Sequence, residues 1–293
     1  MDRQRVYIGP VALETVVSGQ GPATVVFENG LGTSLEQWDQ VAAAVGTRAR
    51  VLRYDRRRAP ETGPVPVHSA AQSAEDLMGL RDVLRIGQPC ILVGHSWGGV
   101  IVRMFAQRHP SRVAGMVLVD ATNEAADSPG LSLLPAIYRM MTLASRVPPL
   151  RPRLVGLFAP SGSPAGYRGR IEQIVADPAS WRRVLRTARA ESSGLRSSLA
   201  ELQRDCPVLP DVPVSVLTGQ ATGAAAKSAA RVHAAWQELA NRSRNATYTS
   251  VPAIGHHIPL LAPDAVVKAI LDVMDAAATG RRLAHGSSGP SAA

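Results

Sequence analysis

The sequence predicts an α/β fold: a mostly parallel, twisted sheet with helices on both faces and a helical cap inserted between two of its strands. Three observations predict this. Short all-apolar runs alternate with amphipathic stretches along most of the chain, and parallel strands buried on both faces read as continuous apolar segments. The alternation stops between residues 121 and 207, where Leu-, Arg- and Ala-rich helical segments are broken by Pro148-Pro149, Pro152 and Pro164. Finally, Ile91-Leu92-Val93-Gly94-His95-Ser96-Trp97-Gly98-Gly99 sets a serine between two glycines where an apolar run meets a helix. Such a strand-to-helix turn lifts a hydroxyl clear of the backbone.

Taken in order, residues 5–17 read as two short strands about a Gly9-Pro10 turn, the second alternating apolar and polar. Thr24 to Phe27 is a compact apolar strand, and Glu28-Asn29-Gly30-Leu31-Gly32-Thr33 is the glycine-punctuated loop after it. A helix over Gln37 to Val45 and a strand over Arg50 to Tyr54 follow, then a Pro- and Gly-rich loop over 55–69. Leu77, Leu80 and Leu84 repeat at helical spacing within 71–85. The strand ending at Ser96 leads into a helix over about 97–108, and Val113 to Val119 is another buried strand. After the interruption come a strand over Val214 to Thr218, a helix over about 227–241, a strand over Thr247 to Val251 and a helix over about 264–277. The expected division is a core of 1–120 and 208–278, a helical cap over 121–207 and a disordered tail over 279–293.

Composition narrows the function classes. The 293 residues suffice for one large α/β domain with an insertion or for two small domains, and 45% hydrophobic content excludes wholesale disorder. The net charge is +9, but Lys227 and Lys268 are the only lysines and the arginines scatter without aromatic spacing. This reads as an arginine-rich surface and not as a nucleic-acid stripe. Cys90 and Cys206 are too few for a disulfide framework and read as reduced thiols. The charged start Met1-Asp2-Arg3-Gln4-Arg5 is unlike a signal peptide. No apolar run approaches the roughly 20 residues of a membrane span. The expectation is a cytoplasmic protein with neither nucleic-acid nor membrane partner, no metal and no cofactor.

A serine hydroxyl is a weak nucleophile until a base takes its proton. Ser96 opens a helix, where free amides favour developing negative charge. The base candidate is His256 in Ile254-Gly255-His256-His257, favoured over His257 because Gly255 permits a tight turn after the last strand. An acid must orient that histidine, and Thr218-Gly219-Gln220-Ala221-Thr222-Gly223 offers no carboxylate. Asp120, directly after Val117-Leu118-Val119, is therefore the first candidate, and Glu124 the second. Backbone amides of Trp97 and Leu31 are the expected oxyanion donors, the latter made accessible by Gly30 and Gly32.

The elbow Gly94-His95-Ser96-Trp97-Gly98-Gly99, the Glu28-Asn29-Gly30-Leu31-Gly32 stretch with Trp38, the Tyr54-Asp55-Arg56 turn and Gly255-His256 stand in an order that resembles α/β-hydrolase-fold proteins. The resemblance covers about residues 12–120 and 210–275. It implies that fold, a Ser-His-acid triad in the chain order serine, acid, histidine, and a cap shaping the pocket. Some members place the acid where Asp120 stands. Two departures are visible: Asn29 takes the place of a histidine common in relatives, and Arg57-Arg58-Ala59-Pro60 replaces a Gly-x-Gly continuation. The run Arg56-Arg57-Arg58 reads as a solvated loop, with a charged gate for an acidic substrate as the alternative. Related epoxide hydrolases and dehalogenases use aspartate at the elbow, so Ser96 points to acyl transfer.

The sequence thus predicts a cofactor-free serine hydrolase of an apolar small molecule carrying an ester, lactone or thioester carbonyl. The alternatives are the same scaffold used for acyl transfer, C–C cleavage or a non-hydrolytic elimination or cyclisation, and a non-catalytic ligand receptor.

Overall fold

The computed structural model describes residues 2–126, 129–220, 226–252 and 254–283. Among them eight strands form one sheet: β1 (Gln4–Ile8), β2 (Val11–Ser18), β3 (Thr24–Glu28), β4 (Arg50–Tyr54), β5 (Cys90–His95), β6 (Val113–Val119), β7 (Val214–Gly219) and β8 (Ala246–Val251). Their order is β1-β2-β4-β3-β5-β6-β7-β8. The β1/β2 and β2/β4 pairs are antiparallel, and every pair from β4 to β8 is parallel.

Successive strand residues face opposite sides, and each side is covered. Val25, Phe27, Ile91, Val93, Val117 and Val119 pack against α1 (Asp39–Val45) and α10 (Pro263–Thr279). Val26, Leu52, Leu92, Met116, Leu118 and Val216 face α2 (Ala70–Val83), α3 (Trp97–Arg108) and α8 (Ala226–Asn241). Both faces of β5 are thus apolar, which explains its unbroken hydrophobic sequence.

Among the described residues, four α-helices stand between β6 and β7: α4 (Pro129–Ala144), α5 (Arg151–Phe158), α6 (Ala165–Ala176) and α7 (Pro178–Asp205). Tyr138, Leu154, Phe158, Ile171, Trp181 and Leu185 form their shared cluster, which reaches Leu31 and Leu260. The long α7 belongs to two clusters. Its first half packs in the insertion, whereas Leu195, Leu199 and Leu202 join the core beside α2 and α3.

Local differences from the expected elements have plain causes. The helix expected from Gln37 begins with a 3-10 turn, Leu35–Trp38, because Asp55 Oδ1 accepts the Leu35 N–H at 2.8 Å and draws the chain in early. A one-turn helix α9 (Ile258–Leu261) precedes α10, separated by Pro263, which cannot donate to a continuing helix. Gly280, at φ 65°, caps α10, and Leu283 N–H donates to Asn245 Oδ1 at 2.8 Å. Residues 284–293 of the expected tail lie outside the described residues. No helix among the described residues is long and apolar enough to cross a membrane.

Candidate active site

The site follows from the strand order. From β3 the chain crosses to β4 on one side and later returns to β5 on the other. At such a reversal a crevice opens beyond the strand C-termini. Register brings the ends level: Glu28 pairs with Gly94, His95 with Val119, Val119 with Leu217 and Gly219 with Val251. The loops after β3, β5, β6, β7 and β8 therefore share one edge.

Ser96 sits between β5 and α3 with φ 54° and ψ −117°. A non-glycine residue held there stores roughly 1–3 kcal/mol. Its N–H donates to Val119 O at 3.1 Å, and its carbonyl accepts from Gly99 and Thr122, each at 3.1 Å. The flanking glycines are sterically required. A Cβ on Gly94 would lie 2.5 Å from Gly98 O, and one on Gly98 would lie 2.5 Å from Glu28 O. Trp97, fully buried, opens α3, and the first amides of a helix have no intrahelical acceptor.

Asp120 leaves β6 at φ 41°, with its N–H bonded to Leu217 O at 2.7 Å. Oδ1 accepts the Gly219 N–H at 2.9 Å and Oδ2 lies 2.6 Å from His256 Nδ1. A carboxylate accepts, so His256 carries its proton on Nδ1 and leaves Nε2 free to act as a base. Burial alone would raise the Asp120 carboxyl, but the His256 hydrogen bond and charge, with the Gly219 N–H, hold it below the usual carboxylate range. The other candidates stand elsewhere. Glu124 is gripped by Arg103 at 2.7 and 3.1 Å. His257 packs against the His256 ring at 5.9 Å and is pushed down to about 4 by burial and by His256. A Cβ on Gly219 would lie 2.2 Å from Gly255 O. The end of β7 is thus occupied by the histidine loop.

His95 has a part that its sequence context did not disclose. Burial, then His256, pushes it down to about 3, so it is neutral at physiological pH. Its Nε2–H donates to His256 O at 2.8 Å, and the two rings lie 4.7 Å apart. The neighbour of Ser96 thereby ties down the backbone of His256.

The loop after β3 is anchored from behind. The Asn29 side chain donates to Tyr54 O at 2.9 Å and accepts from Trp38 Nε1 at 3.0 Å and Gln37 Nε2 at 3.3 Å. The residue in the place of the relatives' histidine therefore serves the scaffold. A Cβ on Gly30 would lie 3.0 Å from His95 Nδ1 and 3.5 Å from Ser96 Cβ, so this loop lies against the serine. The arginine run is not the solvated loop that the sequence suggests. Arg56 is buried against Glu28 and Glu191, Arg57 pairs with Asp76, and only Arg58 is exposed. The pairing with Glu191 was hidden by a separation of 135 residues. A lone acid beside Ala188 and Ala190 on the buried stripe of α7 was the available signal. Burial pushes Glu28 up to about 8. Beyond Gly32 a cavity of about 150 Å³ opens among Arg56, Arg58, Phe158, Trp181 and Glu191.

Comparison with known proteins gives a consistent picture. A model described as the alpha/beta hydrolase family matches residues 25–269. The 2-(acetamidomethylene)succinate hydrolase of Mesorhizobium japonicum is 27% identical over 292 residues, covering 93% of this chain and 95% of that protein. Two other curated relatives match over about a third of this chain, which spans 41% of the one from Bacillus subtilis and 40% of the one from Variovorax paradoxus. Among solved structures, epoxide hydrolase CorEH is similar with a TM-score of 0.71 at 20% identity, covering 94% of this chain and 98% of its own. A thermophilic esterase from Thermogutta terrifontis is similar with a TM-score of 0.68 at 21% identity, covering 94% and 99%.

Proposed function

Because this chain belongs to the alpha/beta hydrolase family, we propose that it is a cofactor-free serine hydrolase acting on an ester, lactone or thioester of a small apolar molecule. The observation that carries the proposal is the pairing of Asp120 with His256 Nδ1 at 2.6 Å, beside a serine in a strained turn at the start of α3. In the proposed sequence His256 Nε2 takes the Ser96 proton and the alkoxide attacks the carbonyl carbon. Asp120 stabilises the imidazolium. The N–H groups of Leu31 and Trp97 hold the tetrahedral oxyanion, each such donor contributing roughly 10²–10³ in rate. His256 then protonates the leaving group, and water, deprotonated by His256, releases the acyl group from Ser96.

Two further points support acyl chemistry. The elbow residue is serine, which suits an acyl-enzyme, and the relative that aligns along nearly its whole length is named a hydrolase. The helices between β6 and β7 would serve as the cap that selects the acyl and leaving groups.

A fluorophosphonate probe tests the assignment. The expected outcome is stoichiometric labelling of Ser96 in the native protein and none in Ser96→Ala, with loss of at least ~10³-fold in turnover across p-nitrophenyl esters, lactones and thioesters. Full esterase turnover by Ser96→Ala would overturn the mechanism. Inertness of Ser96 together with tight ligand binding would replace the enzyme by a receptor.

A further inference from the structure

The strongest unassigned feature is the guanidinium of Arg56. A guanidinium has five N–H donors, and all five are engaged. Nε donates to Glu191 Oε1 at 2.6 Å. Nη1 donates to Asn29 O at 2.7 Å and Glu28 Oε2 at 3.1 Å. Nη2 donates to Gly30 O at 2.9 Å and Glu191 Oε2 at 3.1 Å. All three side chains are buried, Glu28 and Glu191 almost completely.

Two of those bonds go to successive carbonyls of the loop against Ser96. A peptide group is planar, and a trans peptide points its N–H opposite to its C=O. Holding the Gly30 carbonyl therefore fixes the direction of the Leu31 N–H, and holding the Asn29 carbonyl fixes that of Gly30. Among the described residues no acceptor takes the Leu31 N–H. Glycine at 30 would otherwise leave this peptide unit freer to rotate than any other residue would. Glu191 belongs to α7, whose first half packs within the insertion, so the bidentate pair joins that helix to the same loop.

We propose that Arg56 is a positioning residue that aims the Leu31 N–H at the developing oxyanion, and that Glu191 of α7 holds it in that posture. The inference rests on the serine-hydrolase reading. Its consequence is a mechanical link: seating α7 on the sheet sets the oxyanion loop, and displacing α7 releases it. The arginine at the Tyr54-Asp55-Arg56 turn then acts on the reaction through backbone geometry, without touching substrate.

The test separates geometry from folding. Arg56→Lys keeps the charge but cannot span two carbonyls and a carboxylate. Arg56→Gln/Glu191→Gln removes both charges, so neither is stranded. Glu191→Gln alone leaves the backbone contacts of Arg56 available but unhooks it from α7. Each is assayed 20 °C below its own Tm with p-nitrophenyl butyrate and with two inhibitors of one carbon skeleton. One inhibitor is a trifluoromethyl ketone, which adds Ser96 and becomes an oxyanion, and the other is the corresponding secondary alcohol, which does not. The expected result for the two Arg56 variants is a kcat lower by roughly 10- to 100-fold with KM within about twofold. Ketone affinity falls in parallel and alcohol affinity is unchanged; Glu191→Gln shows the same pattern at smaller amplitude. A ketone-to-alcohol affinity ratio equal to that of the native protein in the folded variants overturns the inference. If the Arg56 variants do not fold, an unchanged ratio in Glu191→Gln overturns it alone. Should the native protein resist fluorophosphonate labelling, the serine-hydrolase reading fails first; normal labelling with an unchanged ratio removes only the role of Arg56.

Discussion

Ser96 and Asp120 are two of the three described non-glycine residues at positive φ, the third being Arg85. Both lie at the C-terminal edge of the sheet, where strain coincides with the proposed chemistry. The strain at Ser96 has a measurable consequence. Relief of roughly 1–3 kcal/mol by Ser96→Gly exceeds the roughly 0.4–1 kcal/mol that glycine adds to the entropy of the unfolded chain. The variant is expected to be about 1 kcal/mol more stable than Ser96→Ala, a rise of roughly 2–4 °C in Tm by calorimetry. Both should resist fluorophosphonate labelling equally. An equal or lower Tm for the glycine variant would mean that the surrounding hydrogen bonds to Val119, Gly99 and Thr122 hold the turn without cost.

The approach of one element to another decides which glycines can change. In α3, a Cβ on Gly98 would meet the backbone of β3 at 2.5 Å, and neither the helix nor a central strand can yield cheaply. Gly98→Ala is expected to cost upwards of about 3 kcal/mol in urea denaturation and to abolish labelling of Ser96. Gly169→Ala, in the middle of α6 with nothing within 4 Å of the new Cβ, is expected instead to gain about 1 kcal/mol. The strands, their flanking helices and the elbow were legible because hydrophobic period and glycine spacing are local signals. The Asp120–His256 contact was legible for a sharper reason: no carboxylate stands in Thr218-Gly219-Gln220-Ala221-Thr222-Gly223 after β7, and Gly219 packs under Gly255 there. The 3-10 turn at Leu35 and the short α9 were not legible, since each answers to a tertiary contact or a break of one turn. Nor was the Arg56–Glu191 pair, which joins segments 135 residues apart, its one local cue being the acid on the buried stripe of α7. The bond from His95 to a backbone carbonyl 161 residues away was not legible for the same reason.

Across the folded molecule, buried acids couple stability to pH in a stated direction. Burial raises Glu28 from 4.5 to about 8 and Asp55 from 3.8 to about 6. In those windows the native state keeps protons that the unfolded chain has released, so stability falls as pH climbs through them. Asp120 acts oppositely, its depressed value giving stability that is lost only as pH drops below the ordinary aspartate range. Below about pH 6.5 His95 and His257, held neutral by burial, also oppose the fall, because the unfolded chain there binds protons that they do not. The urea midpoint is therefore expected to decline between about pH 6.5 and 8 and then level. Glu28→Gln, whose amide oxygen can accept from Arg56 while its NH2 donates to the Tyr54 hydroxyl, should flatten that decline. A native profile flat over the whole interval would show Glu28 ionised in the folded state. The strand order has a last consequence, in time. The hydroxyl is built on β5, in the middle of the sheet, whereas the imidazole follows β8, the rim strand that pairs only with β7. Contacts between distant parts of a chain form late, because closing the loop loses entropy before any contact offsets it. On the proposed mechanism, the nascent molecule would hold its nucleophile without its base until β8 docks, and would stay chemically silent while incomplete.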